Sequence, residues 1–288
     1  MADAGVLRGG AVAIHGEAIV AVGPQDELLR KFDGARHVDC AGRVVTPGLV
    51  DSHTHSVFGR ARYEEQEMRA AGAGYMEIAR RGGGIHSSVR DLRSRTEDEL
   101  FALALDRTRR LASYGSTTVE MKSGYGLSVD DELKSLRVIA RVAEAVPARI
   151  IATWLGAHEI PVEYRERARG RAEYVKLLTE EILPIVAKDR LATFADVFCE
   201  PGVFSLDETR AILTASHRAG LGSSFTPTSS SPTAAPSLPL SSGPYRPTIW
   251  GRYPTTACAL SLDPPRWPRC FRAPCSFSVG TSRRRRAR

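Results

Sequence analysis

Arg43-Val44-Val45-Thr46-Pro47-Gly48-Leu49-Val50-Asp51-Ser52-His53-Thr54-His55 is the stretch on which the reading of this chain turns. Val44, Val45, Leu49 and Val50 make an apolar run interrupted by a Pro-Gly turn, the pattern of a short buried strand. Residues two apart on a strand project from the same face, so His53 and His55 are delivered to one place. A neutral imidazole is a good ligand for zinc or ferrous iron. A catalytic metal site takes about three or four protein ligands with one position open to water, so two histidines are half a site. An arbitrary H-x-H is more often a pair of rings on a surface turn, and the decision between the two readings rests on context.

The context on the N-terminal side is two short strands, Ala11 to Ile14 and Ala18 to Pro24, joined by the polar turn His15-Gly16-Glu17. On the C-terminal side, strand and helix signals alternate. Thr96-Glu97-Asp98-Glu99 is a capping box opening a helix that Gly115 stops, and a strand follows from Thr117 to Met121. Helical spacing at Leu133, Leu136, Ile139 and Ala140 precedes an apolar strand from Ile150 to Leu155. A helix over Tyr174 to Ala187, a strand over Thr193 to Cys199 and a second capping box at Ser205 to Glu208 repeat the unit. Such alternation indicates parallel β/α units, in which functional groups lie at the C-terminal ends of strands. That rule selects His53, His55, Tyr125, His158 and Glu200.

The segment Val45 to His55 resembles the first barrel strand of the amidohydrolase superfamily, and the two N-terminal strands resemble the small β domain that precedes that barrel. H-T-H-S-V-F-G-R-A-R at His53 to Arg62, G-G-G-I at Gly82 to Ile85, K-S-G-Y-G-L at Lys122 to Leu127 and G-A-H-E-I-P at Gly156 to Pro161 are similar, in order and spacing, to the imidazolonepropionase family. F-A-D-V-F-C-E-P-G-V-F at Phe194 to Phe204 extends the likeness, which covers about residues 5 to 222. The resemblance implies an α/β fold, a metal-dependent (β/α)8 TIM barrel with a small N-terminal β domain. It divides the chain into a β domain at 1–44, the first half of the barrel at 45–222 and a tail at 223–288.

The same resemblance implies hydrolysis of 4-imidazolone-5-propanoate to N-formimidoyl-L-glutamate in histidine degradation, with one zinc or iron ion. His53 and His55 are then metal ligands, Arg62 and Tyr125 substrate contacts, and His158 a substrate contact and catalytic group. An arginine suits a propionate because its planar fork donates two parallel hydrogen bonds. His158 would polarise the carbonyl or stabilise the developing oxyanion. Lys122, which could stand for the modified lysine of two-metal amidohydrolases, takes a structural role because the family uses one metal. Each residue has a plainer reading: Arg62 as a surface salt bridge, Tyr125 as a turn aromatic, His158 and Glu200 as loop groups. Gly82-Gly83-Gly84 lacks the G-K-S/T of a phosphate loop and reads as a tight active-site loop.

Composition agrees with an enzyme without naming one: 288 residues with 42% hydrophobic content suffice for a sizeable core. No apolar run approaches membrane-spanning length and no signal peptide pattern opens the chain, so the expected location is cytoplasmic. Cys40, Cys199, Cys258, Cys270 and Cys275 are odd in number and lack C-x-x-C spacing, which predicts free thiols. A homodimer is compatible with the family. Another cyclic amidohydrolase, of hydantoinase or dihydroorotase type, would share H-x-H but not K-S-G-Y-G-L and G-A-H-E-I-P together.

After Gly222 the character changes. Residues 223–288 hold 11 of the 17 prolines, ten arginines, no lysine, no glutamate and one aspartate, Asp263, giving +9 against −2 for the rest. Scattered proline without periodicity predicts a disordered tail. Its closing arginines, Arg283 to Arg286 and Arg288, make a non-enzymatic, nucleic-acid-binding remnant the second reading, disfavoured because a solvated basic end lacks a folded reading surface. The tail is compatible with the family's gene read out of register. Regrouped codons for Ser223 to Ser230 permit L-K-L-H-A-D-E-L, those for Ala234 to Ser242 permit G-G-A-E-L-A-A-E-L, and those for Arg246 to Gly251 permit S-A-D-H-L-G. On that reading Thr226 stands where the family has a third metal histidine and Ser229 where it has a general-base glutamate, the later metal aspartate has no counterpart, and the chain as printed is inactive. Resequencing the gene beyond the Gly222 codon should show a one-nucleotide slip; an intact, independently supported frame would remove this reading.

Overall fold

The computed structural model describes residues 5–73, 77, 83–200, 202–224, 226–227 and 277–279. Strands β1 (Gly10–His15) and β2 (Ala18–Pro24) form an antiparallel hairpin, and α1 (Gln25–Lys31) follows. The hairpin turns at Gly16, whose φ of 58° is the left-handed backbone that glycine adopts without a steric cost. β3 (Val45–Pro47) and β4 (Leu49–Thr54) divide at the expected Pro-Gly break, and β3 pairs antiparallel with β10 (Phe277–Val279). The expected break between domains at 44/45 falls just before β3.

The main sheet is parallel, in the order β4-β5-β6-β7-β8, with β5 at Ser116–Lys122, β6 at Arg149–Ala157, β7 at Phe194–Cys199 and β8 at Gly222–Ser223. A further short strand, β9 (Thr226–Pro227), pairs parallel with β7. Helices connect the strands: α2 (Tyr63–Ala70), α3 (Ile85–Arg93) and α4 (Glu97–Ser113) between β4 and β5, and α5 (Val129–Ala145) between β5 and β6. Between β6 and β7 run α6 (Val162–Arg165), α7 (Gly170–Lys176), a π-helical stretch Leu177–Ile182 and α8 (Leu183–Lys188). α9 (Leu206–Arg218) then leads to β8. Neighbouring strands in chain order with a helix between them are the sequential β/α units of a barrel. Among the described residues the barrel is incomplete.

Local chemistry accounts for the helix boundaries. Thr96 and Ser205 each close a capping box with the glutamate three residues on, so α4 and α9 begin where their first free N–H groups find acceptors. Gly115 has φ 96° and ends the turn after α4. The core lies between sheet and helices: Val119, Met121, Trp154, Ala195 and Val197 of the strands join Leu100, Leu136, Ile139, Val142, Leu178 and Ile212 of the helices. The helix predicted over Tyr174 to Ala187 is found, extended at both ends and widened to π-helical pitch in its middle.

One expectation is corrected. The run around Pro47-Gly48 is not buried: Val44 is 76% exposed, Leu49 55% and Val50 66%. β4 stands at one end of the main sheet, where among the described strands β5 alone pairs with it, so its outer side lacks the cover that a central parallel strand receives. Cys40 and Cys199 are free thiols, as expected; the other three cysteines lie outside the described residues.

Leu136 is fully buried and Thr96 caps an exposed helix end. Leu136→Ala should cost about 2–5 kcal/mol through the cavity it leaves, and Thr96→Ala about 1 kcal/mol. Urea midpoints should fall in that order, and equal shifts would contradict the packing described.

Candidate active site

His53 lies within β4 and His55 just past its end, so the strand's pleat aims both toward the C-terminal rim of the sheet. The strand end is tied to its neighbour by Thr54 Oγ1, which donates to the Glu120 carbonyl at 2.6 Å. The loop after His55 is fastened by Arg107 of α4, whose guanidinium donates to the carbonyls of Ser56 at 3.0 Å, Phe58, and Gly59 at 2.7 Å, and lies over the Phe58 ring. A helix on the outside of the sheet therefore sets the path of the chain that leaves the histidine pair.

Four rings meet at this rim. His53 and His55 have centroids 5.2 Å apart, edge to face; His158, just after β6, stacks on His55 at 5.0 Å; Tyr125, after β5, lies 5.6 Å from His55 and 5.2 Å from His158. Phe198 of β7 closes edge-on against His158 at 6.1 Å. Burial lowers the pKa of His53, with the Lys122 charge adding to the effect, and pushes His55 well below the ordinary imidazole value, with the neighbouring rings acting the same way. His158 is lowered to about 4, chiefly by burial. The Tyr125 phenol is raised for the same reason. At neutral pH the cluster is three uncharged imidazoles and a phenol.

Beneath the rings lies a buried ion cluster. The ammonium of Lys122 is fully enclosed and donates to Glu120 Oε1 at 2.7 Å and reaches Asp196 Oδ2 at 2.9 Å; Thr153 Oγ1 donates to the same Glu120 oxygen at 2.6 Å. Glu120 and Lys122 share one face of β5 by their two-residue spacing, while Val119 and Met121 on the other face join the core beneath the helices. The cluster so links β5, β6 and β7.

The loop carrying Tyr125 is built around a buried carboxylate. Glu132 Oε1 accepts from the backbone N–H of Gly124 at 3.1 Å, Gly126 at 2.9 Å and Leu127 at 3.0 Å. Both glycines are required by space: a Cβ on Gly124, with φ 108°, would sit 2.8 Å from the Leu155 carbonyl, and one on Gly126 would sit 2.4 Å from the backbone at Asp131 and Glu132. The Gly124 carbonyl lies 2.9 Å from His158 Nδ1.

Arg62 lies just before α2, in the segment that follows β4. It pairs with Glu65 at 3.4 Å, and Glu65 also accepts from the Gly84 N–H at 2.9 Å, joining the arginine's segment to the glycine run. Its charge nonetheless reaches His55 and Tyr125. A cavity of about 360 Å³ is lined by Arg60, Arg62, Glu65, Ser88, Arg90 and Asp91, and none of the four rings lines it. Gly83 and Gly84 lead directly into α3, and Gly82 lies outside the described residues.

Nδ1 of His53 and Nδ1 of His55 are buried and lack any hydrogen-bond partner, and both rings are neutral, so each offers a lone pair with nothing to receive it. That fits a cation held by two imidazoles. No group of three or more metal-ligating side chains occurs among the described residues, so the fit is to part of a ligand set. Sequence reasoning thus brought together His53, His55, Tyr125 and His158. It passed over Asp196, Glu132 and Arg107, although an aspartate inside the apolar strand F-A-D-V-F was itself a signal.

A family model described as "Imidazolonepropionase-like composite domain, bacteria" matches residues 10–35. The imidazolonepropionase of Symbiobacterium thermophilum is 51% identical over 226 residues, 77% of this chain and 52% of the relative. That of Geobacillus kaustophilus is 44% identical over 225 residues, again 77% and 52%. The chain spans about half the length of the curated relatives it matches. Among solved structures, 5-methylcytosine deaminase from Klebsiella pneumoniae with phosphonocytosine aligns at TM-score 0.48 and 16% identity, covering 74% of this chain and 47% of that one. N-isopropylammelide isopropylaminohydrolase from Burkholderia multivorans aligns at 0.44 and 15%, covering 75% and 48%.

Replacing Lys122 by methionine leaves two buried carboxylates without their cation. Lys122→Met should therefore lose about 3–5 kcal/mol of stability, read as a drop in urea midpoint, and Lys122→Met/Asp196→Asn should recover part of it. An unchanged midpoint in the single variant would show that the ion cluster contributes nothing.

Proposed function

This chain is homologous to the imidazolonepropionases over 77% of its length, and from that premise we propose that its ring cluster is the first half of an imidazolonepropionase active site. The reaction is hydrolysis of the cyclic amide bond of 4-imidazolone-5-propanoate to give N-formimidoyl-L-glutamate. The observation that carries the reading is the pair of orphaned imidazole nitrogens beside Tyr125 and His158 at the strand ends.

His53 and His55 would hold one zinc or iron ion; the donor set accepts either. When bound, such an ion acidifies water toward neutrality and polarises a carbonyl. The chain's own residues do the rest. Neutral rings keep their lone pairs for binding because burial and the Lys122 charge oppose protonation. Tyr125 and His158 offer two mutually tilted, largely dry ring faces and polar atoms to a small heterocycle. Arg62, held loosely by Glu65, is free to exchange that contact for the substrate's propionate, a better bidentate partner.

Two ligands fall short of the three or four that a catalytic site uses. Thr226, placed in β9 beside β7, is the position at which the family's third histidine was expected, and a hydroxyl does not replace an imidazole. Ser229 lies outside the described residues. The full activity therefore belongs to a protein carrying the remaining ligands. No described helix is long and apolar enough to cross a membrane.

Titrating the purified chain with zinc while following imidazolone propionate by its ultraviolet absorbance tests both parts. Zinc should bind weakly, the double variant His53→Ala/His55→Ala should lose that binding by at least about tenfold, equivalent to about 1.4 kcal/mol, and turnover should stay near background. Zinc binding untouched by the double variant would overturn the ligand assignment. Turnover of imidazolone propionate by the purified chain would overturn the claim that two ligands are too few.

A further inference from the structure

Glu132 is a fully buried carboxyl that the proposed chemistry does not use, yet one of its oxygens gathers three N–H groups of a single loop and Gly124 is among them. A carbonyl oxygen only accepts, so the 2.9 Å contact between Gly124 and His158 requires Nδ1 to carry the proton. A neutral imidazole holds one proton, which leaves Nε2 bare. We propose that Glu132 is a positioning residue that, by fixing the Gly124 carbonyl, locks His158 as the Nδ1–H tautomer and so presents Nε2 as a hydrogen-bond acceptor.

The chain of cause is short: two hydrogen bonds that meet on one residue, Gly124. Without Glu132 the N–H groups of Gly124, Gly126 and Leu127 would be buried without acceptors, and the loop would have no reason to hold the backbone conformation that only glycine tolerates at Gly124. Ser123 fastens the same loop from the other side: its hydroxyl accepts the Leu155 N–H at 2.9 Å, its own N–H donates to the Thr153 carbonyl at 3.0 Å, and it acts on the Glu132 carboxyl as well. The loop is thereby set against β6, the strand that carries His158. Stacking on His55 fixes the plane of the His158 ring, and the Gly124 carbonyl fixes which edge faces the loop.

The consequence deepens the proposed function and, for its catalytic meaning, rests on it. An acceptor nitrogen at this place recognises an N–H of the substrate ring or takes a proton from water or from the ring nitrogen; it is not a ready donor to a carbonyl oxygen. The substrate class favoured is a cyclic amide that turns an N–H toward His158.

The test reads the tautomer directly and needs no turnover. In 15N-labelled full-length chain, His158 should show a protonated Nδ1 and an unprotonated Nε2. Glu132→Gln, whose amide oxygen still accepts, should preserve that pattern; Glu132→Leu should lose it. A folded Glu132→Leu chain with the wild-type tautomer, or an Nε2–H tautomer in the wild type, would overturn the proposal. Should Glu132→Leu not fold, amide exchange in the unmodified chain decides: slow exchange at Gly126 and Leu127 supports the buried cradle, and exchange at loop rates overturns it. Zinc binding untouched by the His53→Ala/His55→Ala variant would count against the proposed function and leave this result untouched.

Discussion

The ammonium of Lys122 is the point on which the sheet and its site converge. A lysine with no exposure is costly unless its charge is met, and here Glu120 and Asp196 meet it from two strands while Thr153 bridges from the third. Burial still pushes the Glu120 carboxyl upward, against the pull of Lys122 and Thr153, which measures how dry the place is. Because the register pairs Lys122 with Thr153, the cluster sits at the level where the strands deliver their functional ends. It fixes the spacing of β5, β6 and β7 beneath the rings more tightly than backbone hydrogen bonds alone, since a displaced charge at such a depth has no solvent to fall back on.

From that floor the site rises in two layers of constraint. Thr54 hangs the end of β4 on the Glu120 carbonyl, and Arg107 reaches through to the loop that follows. Glu132 does for the loop after β5 what Arg107 does for the loop after β4: one side chain satisfies several backbone groups that the sheet cannot. Both come from helices packed on the outer face, α4 and α5. The helical layer therefore shapes the rim chemically as well as covering the sheet.

Much of this was legible in sequence because it depends on local rules. The capping boxes at Thr96 and Ser205, the short strand at β5 and the H-x-H at the end of β4 each announce themselves within a few residues. The grouping of His53, His55, Tyr125 and His158 followed from placing residues at strand ends in a parallel β/α order. What failed was the burial of Val44, Leu49 and Val50, because apolar composition reports a tendency and cover depends on what other strands and helices lie alongside. The partners of Lys122 and Glu132 were hidden for a related reason. Lys122 meets Asp196 across 74 positions of sequence, and a carboxylate that serves backbone N–H groups leaves no pattern in side-chain types.

The electrostatics of the rim decide what it can receive. One ammonium set between two carboxylates leaves the floor short of positive charge when both are ionised, and above it stand imidazoles that burial keeps neutral. Protonating either histidine of the pair would place a second cation beside Lys122 and strip the ring of the lone pair that its buried Nδ1 or its partner nitrogen holds. A metal ion at the proposed site would instead accept a lone pair from each ring, above a floor that sets one ammonium against two carboxylates. On the proposed reading, an H-x-H of the kind that is commonly a surface turn would here, above a buried Lys-Glu-Asp cluster, supply half of a cation's ligands.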